Sequence, residues 1–349
     1  DYGRYLRDRL AEADEQHPGA LQVVARTVTD LEPADGGFRV YAEESYAVDA
    51  VVLAYGNPPP TPVDGPGGSG VADRIIDDPW DLDALGAIAP DATVLVIGTG
   101  LTAVDTAVTL LGDSERRHVV MASRHGLLPR AHVDDLFTSW LTPIPDGPLT
   151  ADQVAKIVTE QLDAAAERGV DWRAVVDGLR QPTQSIWRRL DVAERRLFLE
   201  RYAREWEVRR HRMAPAVAAL VEGYRESGRL EILAGGVAGV EKPADRLVAH
   251  LADADREVDA VVNCTGPSPD ITRTDNPLLR ALQKRGLIAP DALRLGLAVT
   301  ETGEVLDADG QVVAGLRTVG PPRKGVLYET TAVPEIRRQA AEIAELLTR

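Results

Sequence analysis

The sequence predicts an α/β protein of two three-layer domains, one inserted in the other, with an additional helical insertion. Three observations predict it. The line VDAVVLAYGNPPP at residues 48–60 returns as VDAVVNCTGPSPD at 258–270. Between the copies, a valine-rich run enters a glycine turn and then a helical pattern. Residues 141–212 match neither copy and read as about three helices.

Each repeated line is a short apolar run closed by Gly and Pro, which reads as a strand buried on both faces. The runs are 51–54 and 261–264. Ala54 ends the first, and Gly56 and Gly266 stand just beyond the two strand ends, where glycine permits a positive φ or a ligand close to the main chain. The repeat extends upstream. A helical pattern at 2–15 precedes LQVVARTVTDLEP and FRVYAEE; another at 214–228 precedes LEILAGGVAGVEKP and RLVAHLAD. Both copies therefore read helix, strand, hairpin, strand, Gly, which marks an internal duplication.

The chain has 349 residues, enough for two domains. Its formal charge of −16 argues against nucleic acid and against an anionic membrane, since phosphate surfaces attract basic proteins. The single cysteine, Cys264, excludes an internal disulfide and a CxxC redox pair. It reads as a small buried hydrophobe. No apolar run approaches the roughly 20 residues of a membrane helix, and the expectation is a soluble cytoplasmic protein.

The chemistry sits in TVLVIGTGLTAVD, residues 93–105. A strand at 94–97 runs into Gly98-Thr99-Gly100-Leu101-Thr102-Ala103, the pattern G-x-G-x-x-A, and a helical pattern follows through Leu111. Strand, tight turn and helix is the context that a dinucleotide fingerprint requires. Gly98 allows the turn, Gly100 leaves room for a pyrophosphate, and Ala103 lets the helix pack against the strand. The helix amino end offers free N–H groups and partial positive charge to the phosphates. The next strand, 118–122, ends at Ser123-Arg124. An acidic residue there would bind the ribose 2′-hydroxyl of NAD. Serine and arginine suit the 2′-phosphate of NADP instead, so NADP is expected and NAD remains possible. Arg124 could also be a plain surface arginine.

The second copy follows a glycine fingerprint, and the first does not. The expectation is that an equivalent segment, including a first G-x-G-x-x-G, lies upstream in a longer protein. An unusual domain without that motif is the alternative.

Two dinucleotide domains nested in this way resemble the two-domain FAD/NAD(P) flavoproteins. LAYGN and NCTGP resemble the glycine-terminated strands that close the two domains of that family, with Tyr55 where Thr is usual. More specifically, VIGTGLTAVDTAVTLL, SRHGLLPRAH, VVNCTGPSPD and GPPRKGVLYETTAVPEIRRQA resemble a bacterial FAD-NAD(P)-binding family that includes flavin-dependent urate hydroxylases and aspartate N-monooxygenases. Tyr328 stands where most relatives have Trp. The resemblance implies FAD on residues 1–60 and 271–349, NAD(P)H on 85–140 and 213–270, and a helical insertion at 141–212. It implies an FAD- and NADPH-dependent oxidoreductase, a monooxygenase in which hydride passes from NADPH to FAD and activated oxygen passes to a small polar substrate, amino acid or purine-like. Alternatives are a flavoprotein reductase serving an electron-accepting partner, and a non-catalytic NAD(P)-binding fragment. No catalytic side chain is assigned, and the oligomeric state stays open.

The carboxyl-terminal segment reads as a strand at 316–320, the loop GPPRKG, and a helix at 333–347. Gly320 ends the strand. Thr330 or Thr331 is a candidate N-cap, and Pro334 suits the first turn. With Ala332, they would place a helix amino end at the flavin's pyrimidine edge.

His125 and His132 lie seven apart in a loop without neighbouring ligands and are not assigned a metal. The insertion reads as helices at 151–168, 172–181 and 191–212, with Thr150 and Asp191 as N-caps and Gly169 as a stop. Residues 187–212 carry nine arginines, a local reversal of sign that could draw an anionic substrate or the NADPH phosphates. Helical ion pairs such as Glu200–Arg204 are the plainer explanation. Trp187, Phe198, Tyr202 and Trp206 read as helix-packing residues.

Overall fold

The computed structural model describes residues 2–63, 74–135, 137–241 and 246–348. In chain order, helix α1 is Tyr2–Gln16, followed by strands β1 Asp30–Ala34, β2 Gly37–Tyr41, β3 Ser45–Val48, β4 Val51–Leu53 and β5 Ile75–Ile76. Then come α2 Leu82–Gly86, β6 Thr93–Ile97, α3 Leu101–Asp113 and β7 His118–Ser123. The insertion holds α4 Ala151–Glu167, α5 Trp172–Gly178, α6 Thr183–Arg189, α7 Val192–Arg201 and α8 Ala203–Arg210. After it come α9 Pro215–Glu226, β8 Leu230–Ala234, β9 Val237–Glu241, β10 Leu247–Leu251, β11 Asp255–Val258 and β12 Ala260–Asn263. The chain closes with α10 Pro277–Lys284, β13 Glu304–Leu306, β14 Val312–Thr318 and α11 Val333–Leu347.

The second α/β unit is a five-stranded parallel sheet in the order β5-β12-β6-β7-β8. Its strands are valine-rich because both faces are covered. One face packs α3 and α9 through Val94, Val96, Val104, Leu110 and Val221. The other packs the antiparallel β9-β10-β11 meander through Leu95, Val120, Val240, Leu247 and Val261. That is three layers.

The first unit repeats the plan with a smaller described sheet. The β1-β2-β3 meander is antiparallel, and β4 pairs parallel to β14, which pairs antiparallel to β13. Its core gathers Leu31, Phe38, Leu53, Leu279, Leu282, Leu297 and Leu316.

The duplication is visible in the helices α1 and α9, the two meanders and the closing strands β4 and β12. It fails at one element. The sequence predicts a strand near 21–25 as the counterpart of β8, yet residues 21–29 form none, and Val23 is 71% exposed. β8 draws its ladder from β7; among the described residues no strand lies beside 21–25 to do the same. Helix α1 likewise buries no residue. β4 is also less enclosed than the sequence predicts, with only Leu53 fully buried, whereas every residue of β12 is buried.

The insertion is five helices rather than three. Thr150 forms a full capping box with Gln153, Asp191 accepts from the Glu194 N–H, and Gly169 follows α4 with φ +68°, as their sequence signals predict. The expected long helix over 191–212 breaks at Tyr202, whose φ of −117° ends α7 and turns the chain into α8. Trp187, Phe198 and Trp206 do pack the insertion core, where Tyr328 stacks on Trp187 with ring centres 4.7 Å apart.

Candidate functional site

The glycine turn is built as its motif requires. β6 delivers Gly98 at φ +122°, with its N–H donated to the Ala122 carbonyl over 2.8 Å. A Cβ on Gly98 would stand 2.3 Å from the Cys264 carbonyl oxygen, so this glycine lets β6 and β12 end side by side. Gly100 is different. It sits at the N-cap of α3 with extended backbone and no side-chain cap, and a Cβ there would meet nothing within 4 Å. The space beside it is open. The first-turn N–H groups of α3 therefore open into that space with the helix's partial positive charge. Ala103 is fully buried against the sheet, the close packing expected of the motif's last position.

That space is part of a cleft of about 620 Å³. One wall is Gly98, Thr99, Gly100, Leu101 and Thr102, with Ser123 and Arg124 at the end of β7 and Gly266 after β12. The facing wall comes from the first unit: Tyr55 and Asn57 beyond β4, Leu295 and Gly296, and Pro321, Pro322, Lys324 and Thr331. The insertion supplies Arg204 and Glu207. Glycine-terminated strands from both units thus converge on one space, consistent with ligands binding beyond the carboxyl ends of parallel strands.

The remaining expected residues do not line this cleft. Ala54 and Gly56 flank Tyr55, and Gly56 has φ +72°. Burial raises the Tyr55 hydroxyl pKa, keeping it protonated. Gly320, at φ +80°, follows β14, which is Val312–Thr318 rather than 316–320. Its N–H donates to Gln339 Oε1 at 2.9 Å, and its carbonyl accepts from Thr330 Oγ1 at 3.0 Å. Gln339 Nε2 donates to Thr330 Oγ1 at 2.8 Å, and all of this is buried.

Neither threonine caps α11. The N-cap is Ala332, with no side-chain cap. The Thr330 hydroxyl is committed to Gly320, so it cannot reach the helix N–H groups, and Thr331 turns to the cleft. The helix start is left uncapped beside it.

Ser123 is also committed within the turn. Its hydroxyl lies 2.8 Å from that of Thr99 and accepts the Gly126 N–H at 3.1 Å. Arg124 is exposed at the rim. Cys264 lines the cleft beside Gly98, and burial pushes its thiol up to about 11. His125 lines the cleft, whereas His132 does not; no group of three metal-ligating side chains occurs among the described residues.

Sequence reasoning missed Arg204, Glu207, Lys324 and the 295–296 loop. The arginine-rich run was visible, but which arginine faced the cleft depended on the break at Tyr202. Most of the others tie elements together. Arg210 grips Glu329 at 2.8–3.0 Å with both side chains nearly buried, and Trp206 Nε1 adds a bond at 3.2 Å. Arg188 pairs with Glu301 and Arg212 with Asp177. Trp187 Nε1 donates to the Gly325 carbonyl at 2.9 Å.

A family model described as FAD-NAD(P)-binding matches residues 1–58. Comparison with curated proteins finds none that matches in sequence. Among solved structures, L-lysine 6-monooxygenase from Pseudomonas syringae superposes with a TM-score of 0.64 at 20% identity, covering 98% of this chain and 75% of that one. The reduced form of ornithine hydroxylase from Pseudomonas aeruginosa gives 0.62 at 17%, covering 99% and 75%. The fold is that of the two-domain FAD/NAD(P)-binding flavoproteins. An ornithine N-hydroxylase from Kutzneria sp. 744, solved with reduced FAD, NADP⁺ and L-ornithine, shares it at 0.59 and 18% identity, over 99% of this chain and 76% of that one. Among the described residues, no helix of this flavoprotein fold is long and apolar enough to cross a membrane.

Proposed function

We propose that the chain is an FAD- and NADPH-dependent oxidoreductase, a flavin monooxygenase that oxygenates a small polar substrate, either an amino acid or a purine-like molecule. The observation that carries this is the convergence in one cleft of the Gly98–Ala103 turn with the 321–331 segment of the other unit. The family model over residues 1–58 and the fold shared with lysine and ornithine monooxygenases support it. Residues 85–140 and 213–270 serve as the NADPH side, 1–60 and 271–349 as the FAD side, and 141–212 as the insertion between them. The setting is proposed to be the cytoplasm.

The residues present fit these groups. Gly100 leaves the space a pyrophosphate needs, with uncapped N–H groups of α3 behind it. At the start of α11, beside Thr331, the Val333 N–H and the helix's partial positive charge suit a ring that gains negative charge on reduction; Pro334 has no N–H, and the Glu335 N–H donates to the Ala332 carbonyl at 3.1 Å. FAD, when bound, accepts hydride from NADPH and supplies the oxygen-activating chemistry. The chain's residues do the rest. The open start of α3 would stabilise an anionic group, and Tyr55, kept protonated by burial, lines the same cleft.

The test is coupling. NADPH consumption in air should rise with the true amino-acid or purine substrate and match oxygenated product one for one. Consumption that yields only hydrogen peroxide or a reduced electron acceptor, whatever the substrate, contradicts the monooxygenase reading.

A further inference from the structure

Arg204 does not make the helical ion pair that its spacing from Glu200 suggests. The break at Tyr202 turns α8 so that Arg204, in its first turn, reaches across to the glycine turn. One nitrogen, Nη2, donates to the Thr99 hydroxyl at 3.0 Å, the Thr99 carbonyl at 3.4 Å and the Leu127 carbonyl. Among the described residues, Nε and Nη1 have no protein acceptor, and no carboxylate forms an ion pair with this guanidinium. Glu207, one turn on, lines the same cleft without closing on it. The charge is partly buried. Burial lowers its pKa; Glu207 opposes that most strongly, Arg124 adds to it, and Glu205 opposes it more weakly.

A half-buried guanidinium that lies near a second one, and on which no neighbouring carboxylate closes, leaves N–H groups available to an anionic ligand. Arg124 stands at the end of β7, where a nucleotide's adenosine ribose is expected. Arg204 is hydrogen-bonded to Thr99, whose hydroxyl meets Ser123, the residue before Arg124. Both guanidinium groups line the cleft.

We infer that Arg204 joins Arg124 in a two-guanidinium site for the 2′-phosphate of the nucleotide, so that the insertion as well as the β7 end selects NADPH over NADH. The inference rests on reading the cleft as a dinucleotide site. Guanidinium groups suit this role because their N–H groups bond phosphate oxygens in pairs.

The test uses two probes, 2′,5′-ADP and 5′-ADP. The first carries the 2′-phosphate; the second has the pyrophosphate without it. Binding is measured by calorimetry on the wild-type chain and on R204M, R204Q and R124M. R204M should weaken 2′,5′-ADP by roughly tenfold or more while 5′-ADP changes little. R204Q should do the same, and it serves if R204M does not fold. The R124M/R204M double variant should lose less than the two single losses combined, as for groups sharing one anion. Equal weakening of both probes would reduce Arg204 to a prop for the turn, and selective loss of 5′-ADP would assign it to the pyrophosphate; either overturns the inference. A wild-type chain that binds neither probe overturns instead the dinucleotide reading beneath it.

Discussion

Gly98 and Gly100 occupy one motif, yet the structure gives them separate work. A methyl group on Gly98 meets the Cys264 carbonyl at 2.3 Å, and the φ of +122° is hostile to any side chain. G98A should lose about 1–3 kcal/mol from backbone strain alone, seen as a lower denaturation midpoint. A methyl on Gly100 meets open space. G100A should keep its midpoint and lose roughly tenfold in 5′-ADP affinity, because the methyl takes the room of the pyrophosphate. If both variants lost only stability, Gly100 would not face the ligand. Cys264, with its thiol held at about 11 by burial, should resist alkylation at neutral pH in the folded chain and react readily in denaturant. The Gly98 turn and the burial of Cys264 were legible at the motif level. Arg204 was not, because a side chain that crosses to another element leaves no periodic signal.

Local chemistry made some helix ends readable. Thr150 and Gln153 each accept the other's N–H, and Asp191 accepts the Glu194 N–H, as such caps do anywhere. D191A should cost about 1 kcal/mol in thermal or denaturant unfolding. The start of α11 was misread for a tertiary reason. Thr330 has the right chemistry for a cap, but its hydroxyl is held by Gly320 and Gln339. That lock also makes a prediction. Q339A leaves the buried Gly320 N–H without its acceptor and should cost about 1–3 kcal/mol, measured by the denaturant midpoint. A variant as stable as wild type would mean that another acceptor replaces Gln339. The break at Tyr202 has neither proline nor glycine to announce it, so one long helical pattern concealed two short helices.

Across the whole molecule, repetition was the strongest signal. Two meanders and two closing strands follow from one duplicated line. The strand expected near 21–25 failed because a strand is a property of its neighbours as well as of its own residues. The insertion's role was hidden for a similar reason: its composition gave charge, and only the fold showed that Arg210 closes on Glu329 and Arg188 on Glu301. Removing one partner of the nearly buried Arg210–Glu329 pair, as in E329A, should cost about 3 kcal/mol and loosen the segment that carries Thr331 to the cleft. The central claim is that this cleft brings a reduced pyridine nucleotide to a flavin. It is tested most directly by loading the chain with FAD, adding NADPH without oxygen, and following the flavin's visible absorption. Prompt bleaching, faster with NADPH than with NADH, is the predicted result. A chain that holds FAD whose colour survives an excess of NADPH would contradict it.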